Sequence, residues 1–235
     1  MQLLISFFLW QAVFDSKFSV FQYSREQMIT YVLMTQFIRP LVFASRAINV
    51  AEVISSGDLT NIILKPISFL KYYFVRDIEN KLLNFSFAVL EFSLVVVLFK
   101  PVFSFRVSPT NFLLFVVSLT LSILIFFFLN VSLGFLAFWI PENAWAPRFL
   151  FFIFFDFFSG SLFPLDIFTG TVGFILRMTP FYYLLFFPLS LLLGRFDGNL
   201  LLTGLTISVV WVALLYKICQ KLWRSGLAIY GAWGR

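Results

Sequence analysis

The residues able to do chemistry in this chain are few, and three of them fall inside apolar runs. Glu91 lies in residues 82–99, Asp156 in 149–163, and Arg39 precedes Pro40 in 27–45. An ionised group at mid-depth in a bilayer is costly, roughly 2.5–3.5 kcal/mol for Asp on insertion scales, unless it is paired, protonated or facing a cavity. Neither carboxylate has a basic neighbour in sequence. They read either as structural groups bonded across helices or as polar points on a cargo path or proton-linked site. Arg39 is expected to snorkel toward the same surface as Arg46, with Pro40 kinking its helix. Catalysis has little else to use. There is no His, which removes Ser-His and Cys-His pairs and imidazole metal sites. The single cysteine, Cys219, allows no internal disulfide. No Gly-Lys-Ser/Thr occurs to cradle a phosphate. No catalytic residue and no metal ligand is assigned, and any ATP used must be bound by another chain.

A second group of polar residues forms an island, 46–81, between apolar stretches. Its basic residues are Arg46, Lys65, Lys71, Arg76 and Lys81; its acids are Glu52, Asp58, Asp77 and Glu79. The Lys/Arg excess puts it in the cytoplasm. Gly57 breaks one helical run, Asp58 and Thr60 are placed to cap the next, and Pro66 ends it. The pattern predicts a compact knob of two short helices. The part from 67 to 81 reads as a helix leading into a span, with Asp77 and Lys81 paired at i, i+4.

A third group interrupts an apolar stretch. From 160 to 194, Gly160, Pro164, Gly170, Gly173, Pro180 and Pro188 forbid one continuous helix. Short helices that dip in and return would satisfy the backbone. Asp166 is placed to cap the first, Arg177 to sit at its C-terminus, and Pro180 to force the reversal. Phe181, Tyr182 and Tyr183 are expected near the headgroup level.

The elements that hold these groups are set by composition. Of 235 residues, 61% are hydrophobic and 12% charged, against about 45–50% and about 25% in soluble domains. The chain is an all-α integral membrane protein, one domain over 1–235, with six spans predicted near 1–14, 27–45, 82–99, 111–140, 149–163 and 200–218. The first is short, with the character of a span whose beginning is trimmed or missing. The net charge of +6 sits mostly in loops, which suits orientation and lipid headgroups rather than nucleic acid. Placing the island and the tail inside puts more Lys and Arg there than outside, where Lys17, Arg25, Lys100, Arg106, Arg177 and Arg195 fall.

Three segments together carry a resemblance: Ser56-Gly57-Asp58-Leu59 with Ile63 to Ser68; Phe163 to Phe168 with Pro180 to Tyr183 and Pro188; and Trp223 to Leu227 with Tyr230. In order and spacing they resemble the second-type ABC exporter permeases, over nearly the whole chain. The resemblance implies that the knob is a coupling helix between spans two and three, seated on a nucleotide-binding ATPase subunit. Its candidate contacts are Glu52, Ser55, Gly57, Asp58, Leu59, Lys65 and Pro66. It implies re-entrant outer helices between spans five and six, and candidate path or gate residues Glu91, Asp156, Pro164, Asp166, Pro180 and Tyr182. Two permeases, identical or paralogous, would pair with two ATPases that hold ATP and Mg; this chain binds no cofactor. The setting is a bacterial cytoplasmic membrane, with the C-terminus inside. That family has an amphipathic interfacial helix and a full first span at its start, which this chain lacks. The expected function is export of a hydrophobic or amphipathic cargo driven by the partner ATPase. The competing readings are a non-transporting membrane anchor or assembly factor, and an intramembrane lipid enzyme built on Glu91 and Asp156.

Overall fold

The computed structural model describes residues 2–15, 19–20, 23–103, 108–143, 145–196 and 198–230. Lys17, Arg106 and Arg235, which entered the charge argument, and the last residues of the tail lie outside the described residues.

The chain opens with α1 (Gln2–Asp15) and a short antiparallel ribbon, β1 (Ser19–Val20) against β2 (Tyr23–Ser24). Then come α2 (Arg25–Phe43), a 3-10 turn (Arg46–Asn49), α3 (Val50–Ser55), α4 (Leu59–Ile63) and α5 (Phe69–Phe99). The second half is α6 (Pro109–Phe135), α7 (Ala146–Phe158), α8 (Gly170–Met178), α9 (Phe186–Leu192) and α10 (Gly198–Ile229).

Among the described residues three helices are long and apolar enough to cross a membrane: α5, α6 with its continuation to Phe138, and α10. Two bent pairs raise the number to five if each is one span. They are α2 with Arg46–Ser55, at 46°, and α8 with Phe181–Leu192, at 75°. The first and fifth predicted spans are the helices α1 and α7, of 14 and 13 residues. At 1.5 Å per residue each covers about 20 Å of a core roughly 30 Å thick. The six predicted spans therefore resolve into three long helices, one bent pair and two short helices, and the second bent pair is the predicted broken segment.

Local chemistry explains the ends. The α2 start is a reciprocal capping box, with Gln27 N–H donating to Ser24 Oγ at 3.3 Å and Ser24 N–H to Gln27 Oε1 at 3.1 Å. At the other end Lys81 of α5 donates to the carbonyls of Val42 and Ala44, at 2.8 and 2.7 Å. This satisfies two carbonyl acceptors that a helix terminus leaves open. The predicted helix at 67–81 and the third span are one unbroken helix, α5, of 31 residues. It ends at Lys100, in the left-handed region at φ 44°. Asn111 N–H donates to Ser108 Oγ at 3.1 Å to start α6.

Two apolar cores follow. The larger packs α2, α6, α7 and α9, with Tyr31, Phe126, Phe155, Phe186 and Phe187 at its centre. The smaller lies beneath the knob, where Val50, Ile54, Leu59, Phe69, Tyr73, Phe135 and Cys219 meet. Edge-on and tilted ring pairs tie both together, as aromatic quadrupoles favour; Phe69 stacks on Trp223 at 4.5 Å.

Candidate functional site

The knob is built from α3, the bend at Gly57 and α4. Gly57 holds φ +84°, a conformation that side chains disfavour and glycine adopts freely. Asp58 stands at the start of α4 but its side chain does not cap the helix. Instead Ser56 Oγ donates to Asp58 Oδ2 at 2.9 Å. The predicted capping by Asp58 gives way to this tighter local bond within the bend. Thr60 is likewise turned to a distant partner, its hydroxyl lying 3.1 Å from Tyr230 Oη. Tyr230 Oη also donates to the Gly57 carbonyl at 3.0 Å. Leu59 is wholly buried, so it seats the knob on the core rather than facing outward. Glu52, Ser55, Asp58, Lys65 and Pro66 are exposed. With them stand Ile63, Leu64 and Ile67, of which Leu64 is 79% exposed. These three apolar residues lie in the segment that carries the resemblance but are not among the candidate contacts named from it. The signal for them was the short greasy run ahead of Lys65-Pro66, too brief to be a span.

The elbow joining the knob to α2 is a buried ion pair. Asp77 and Lys81 of α5 lie 3.2 Å apart and are 0% and 2% exposed. Asp77 Oδ1 accepts from the Ser45 hydroxyl and from Arg46 N–H. The i, i+4 pair predicted along one helix thus serves a second element. It fills the break where α2 turns into the knob.

Arg39 does not snorkel. Its Nη2 contacts Asp156 Oδ1 of α7 at 2.5 Å, and its guanidinium lies over the Phe43 ring at 5.6 Å. An opposite charge within reach across the bundle outweighs a reach to the interface, because at this depth an unpaired charge is costly. Glu91 is exposed. It lines a cleft of 360 Å³ with Gln36, Arg39, Phe43, Asn84 and Phe152. Asp156 therefore meets a cation, Arg39, which also lines the cleft that holds Glu91.

The broken segment is fastened at several points. Tyr31 Oη donates to the Gly160 carbonyl at 2.6 Å. Pro164 is buried, and Asp166 follows in a 3-10 turn (Leu165–Ile167) without capping it. Its carboxylate instead accepts from Tyr23 Oη at 3.0 and 2.9 Å and pairs with Arg195 at 3.0 Å. The Arg195 guanidinium stacks over the Tyr23 ring at 3.8 Å. Burial first, then the Asp166 charge, pushes the Tyr23 phenol well above its ordinary value, so it stays a donor. Arg177 sits in the last turn of α8 as predicted, and Pro180 stands at the 75° bend. Tyr182 and Tyr183, expected near a headgroup level, are buried within the protein, 6% and 2% exposed. Tyr183 Oη donates to the Arg177 carbonyl at 2.7 Å, so burial inside the protein satisfies the polar tip that an interface would otherwise hydrate. The whole of α9 is buried, whereas α8 exposes Val172, Phe174 and Ile175.

Long apolar helices, a polar knob on a greasy seat and a sharply bent segment define a multi-pass membrane protein. The family described as ABC-2 family transporter protein matches residues 1–234, and the chain belongs to it. It is the membrane component of a transporter. A comparison with curated proteins gives no match.

Proposed function

We propose that this chain is the permease subunit of an ABC exporter whose ATP hydrolysis takes place on a separate subunit. The observation that carries the reading is the knob. Its underside is anchored by Leu59 and Ile54, while its far side offers Ile63, Leu64 and Ile67 beside Glu52, Asp58 and Lys65. A seated element with exposed apolar residues rimmed by charge has the character of a protein-docking surface. An ATPase gripping it moves a lever rather than a loose loop. The elbow at Asp77 and Lys81 passes that movement to α2 and α5. The segment from 160 to 194 acts as the outer gate, and the path runs between two permeases. The knob and the C-terminus lie in the cytoplasm of a bacterial inner membrane. ATP and Mg sit on the ATPase, and the cargo is hydrophobic or amphipathic. Co-purification of the membrane-inserted chain with its ATPase tests this. Leu64→Asp is expected to abolish co-purification while leaving insertion normal. Retention of the ATPase by Leu64→Asp and by Asp58→Lys would remove the knob as the docking site.

A further inference from the structure

The helix α10 touches both regions. Near its inner end Tyr230 Oη, one residue past the helix, bonds the Gly57 carbonyl at 3.0 Å and meets the Thr60 hydroxyl at 3.1 Å. Trp223 stacks on Phe69 at the foot of the knob. The Phe138 ring packs against Gly226, where any Cβ would collide with it. Near the middle of α10 Trp211 Nε1 donates to the Met178 carbonyl at 3.1 Å, at the last residue of α8 and beside the bend. About two turns further out, Gly204 receives the Phe187 ring of α9 so closely that no side chain would fit. Between these contacts α10 is one unbroken helix of 32 residues, Gly198–Ile229. It has no proline, the usual cause of a sharp kink. From Trp211 to Tyr230 the rise is about 28 Å at 1.5 Å per residue.

From these contacts we infer that α10 is the connecting rod between the knob and the bent outer segment, with Tyr230 at its inner end and Trp211 near its middle as the positioning residues. The inference rests on the reading of the knob as docking site and of 160–194 as gate. A helix resists bending and stretching over this length, so a displacement of the knob's bend arrives at the α8–α9 corner. The two contacts are of the kind a rod needs. Each joins a side chain to a backbone carbonyl at a turn, so the turn itself is held and not merely a neighbouring side chain. The α2 elbow ties the knob to α5, whereas α10 itself bonds both the knob and the last residue of α8. Coupling of this kind is established only when perturbing the link changes the distant response.

The experiment uses the permease–ATPase complex in lipid nanodiscs, with Cys219→Ala as background. Single reporter cysteines are placed at Leu162 in the outer segment and at Asn61 in the knob, both exposed. Thiol labelling is timed with and without trapped nucleotide. Trapping is expected to shift both rates in the parent. Tyr230→Phe keeps its ring and loses only the hydroxyl contacts, while Trp211→Phe keeps an aromatic ring, smaller than the indole, and loses the N–H donor. Each is expected to shrink the Leu162 shift at least threefold and leave the Asn61 shift intact. A Leu162 shift that survives both changes overturns the rod, and so does a loss that appears equally at Asn61. A parent in which Asn61 responds and Leu162 never does removes the outer gate, and the rod with it. A parent in which neither responds removes the docking site.

Discussion

Lys81 Nζ lies 2.7 Å from the carbonyl of Ala44, so a buried cation on α5 closes the end of α2. The same ammonium holds Asp77 at 3.2 Å, and Asp77 in turn caps the first turn of the knob through Ser45 and Arg46. One ion pair therefore serves a helix end, a helix start and the bend between them.

Removing one partner leaves a buried charge alone, which in proteins typically costs about 3–5 kcal/mol. Lys81→Met is expected to lower stability by that order, read as thermal unfolding of the detergent-solubilised chain. The double change Asp77→Asn with Lys81→Met should recover part of the loss. A single change without effect would show that the pair does not hold the elbow.

Gly57→Val forces a branched side chain into φ +84°, a strain of about 1–2 kcal/mol. Nothing stands within 4 Å of a Cβ there, so the effect is on the bend and not on packing. Weaker co-purification with the ATPase is expected, with insertion unchanged. Gly57→Asn, which tolerates the left-handed region, should be milder.

The Arg39–Asp156 pair allows a charge test. Asp156→Asn retains an acceptor, whereas Arg39→Met strands the carboxylate and should be the worse, by about 1–3 kcal/mol. ATP turnover of the complex is measured for these and for Glu91→Gln across pH. Unaltered turnover and pH profile for Asp156→Asn and Glu91→Gln would leave both carboxylates as structural groups only.

Tyr23 gives a prediction at alkaline pH. Its raised phenol keeps its proton in the folded chain, while in the unfolded chain it ionises near its ordinary value. The folded state then holds more protons, and stability falls as pH rises above about 10. Tyr23→Phe should remove that share of the slope and release Asp166, measured as unfolding midpoints from pH 8 to 11.

Much of this arrangement was legible because it is local. Gly57, Pro180 and the Asp77–Lys81 spacing each act within a few residues, through a left-handed φ, a missing N–H and one helical turn. What escaped was set by partners far along the chain. Asp166 reads as a cap until Tyr23 and Arg195 are brought to it, and Tyr23 lies 143 residues away. Thr60 reads as a cap until Tyr230 arrives from 170 residues away. Tyr182 reads as an interfacial aromatic until the chain folds back and the Phe186 and Phe187 rings of α9 pack on it. Arg39 misled for the same reason: its counter-charge is on α7.

The exposed Ile63, Leu64 and Ile67 also bear on how the protein is made. A chain released from the ribosome before its partner arrives carries a greasy patch in water on an otherwise charged surface. Such a patch attracts chaperones, proteases and other unassembled copies. Synthesis in step with the ATPase would shield it, so an orphan chain should be short-lived and co-expression should raise its yield.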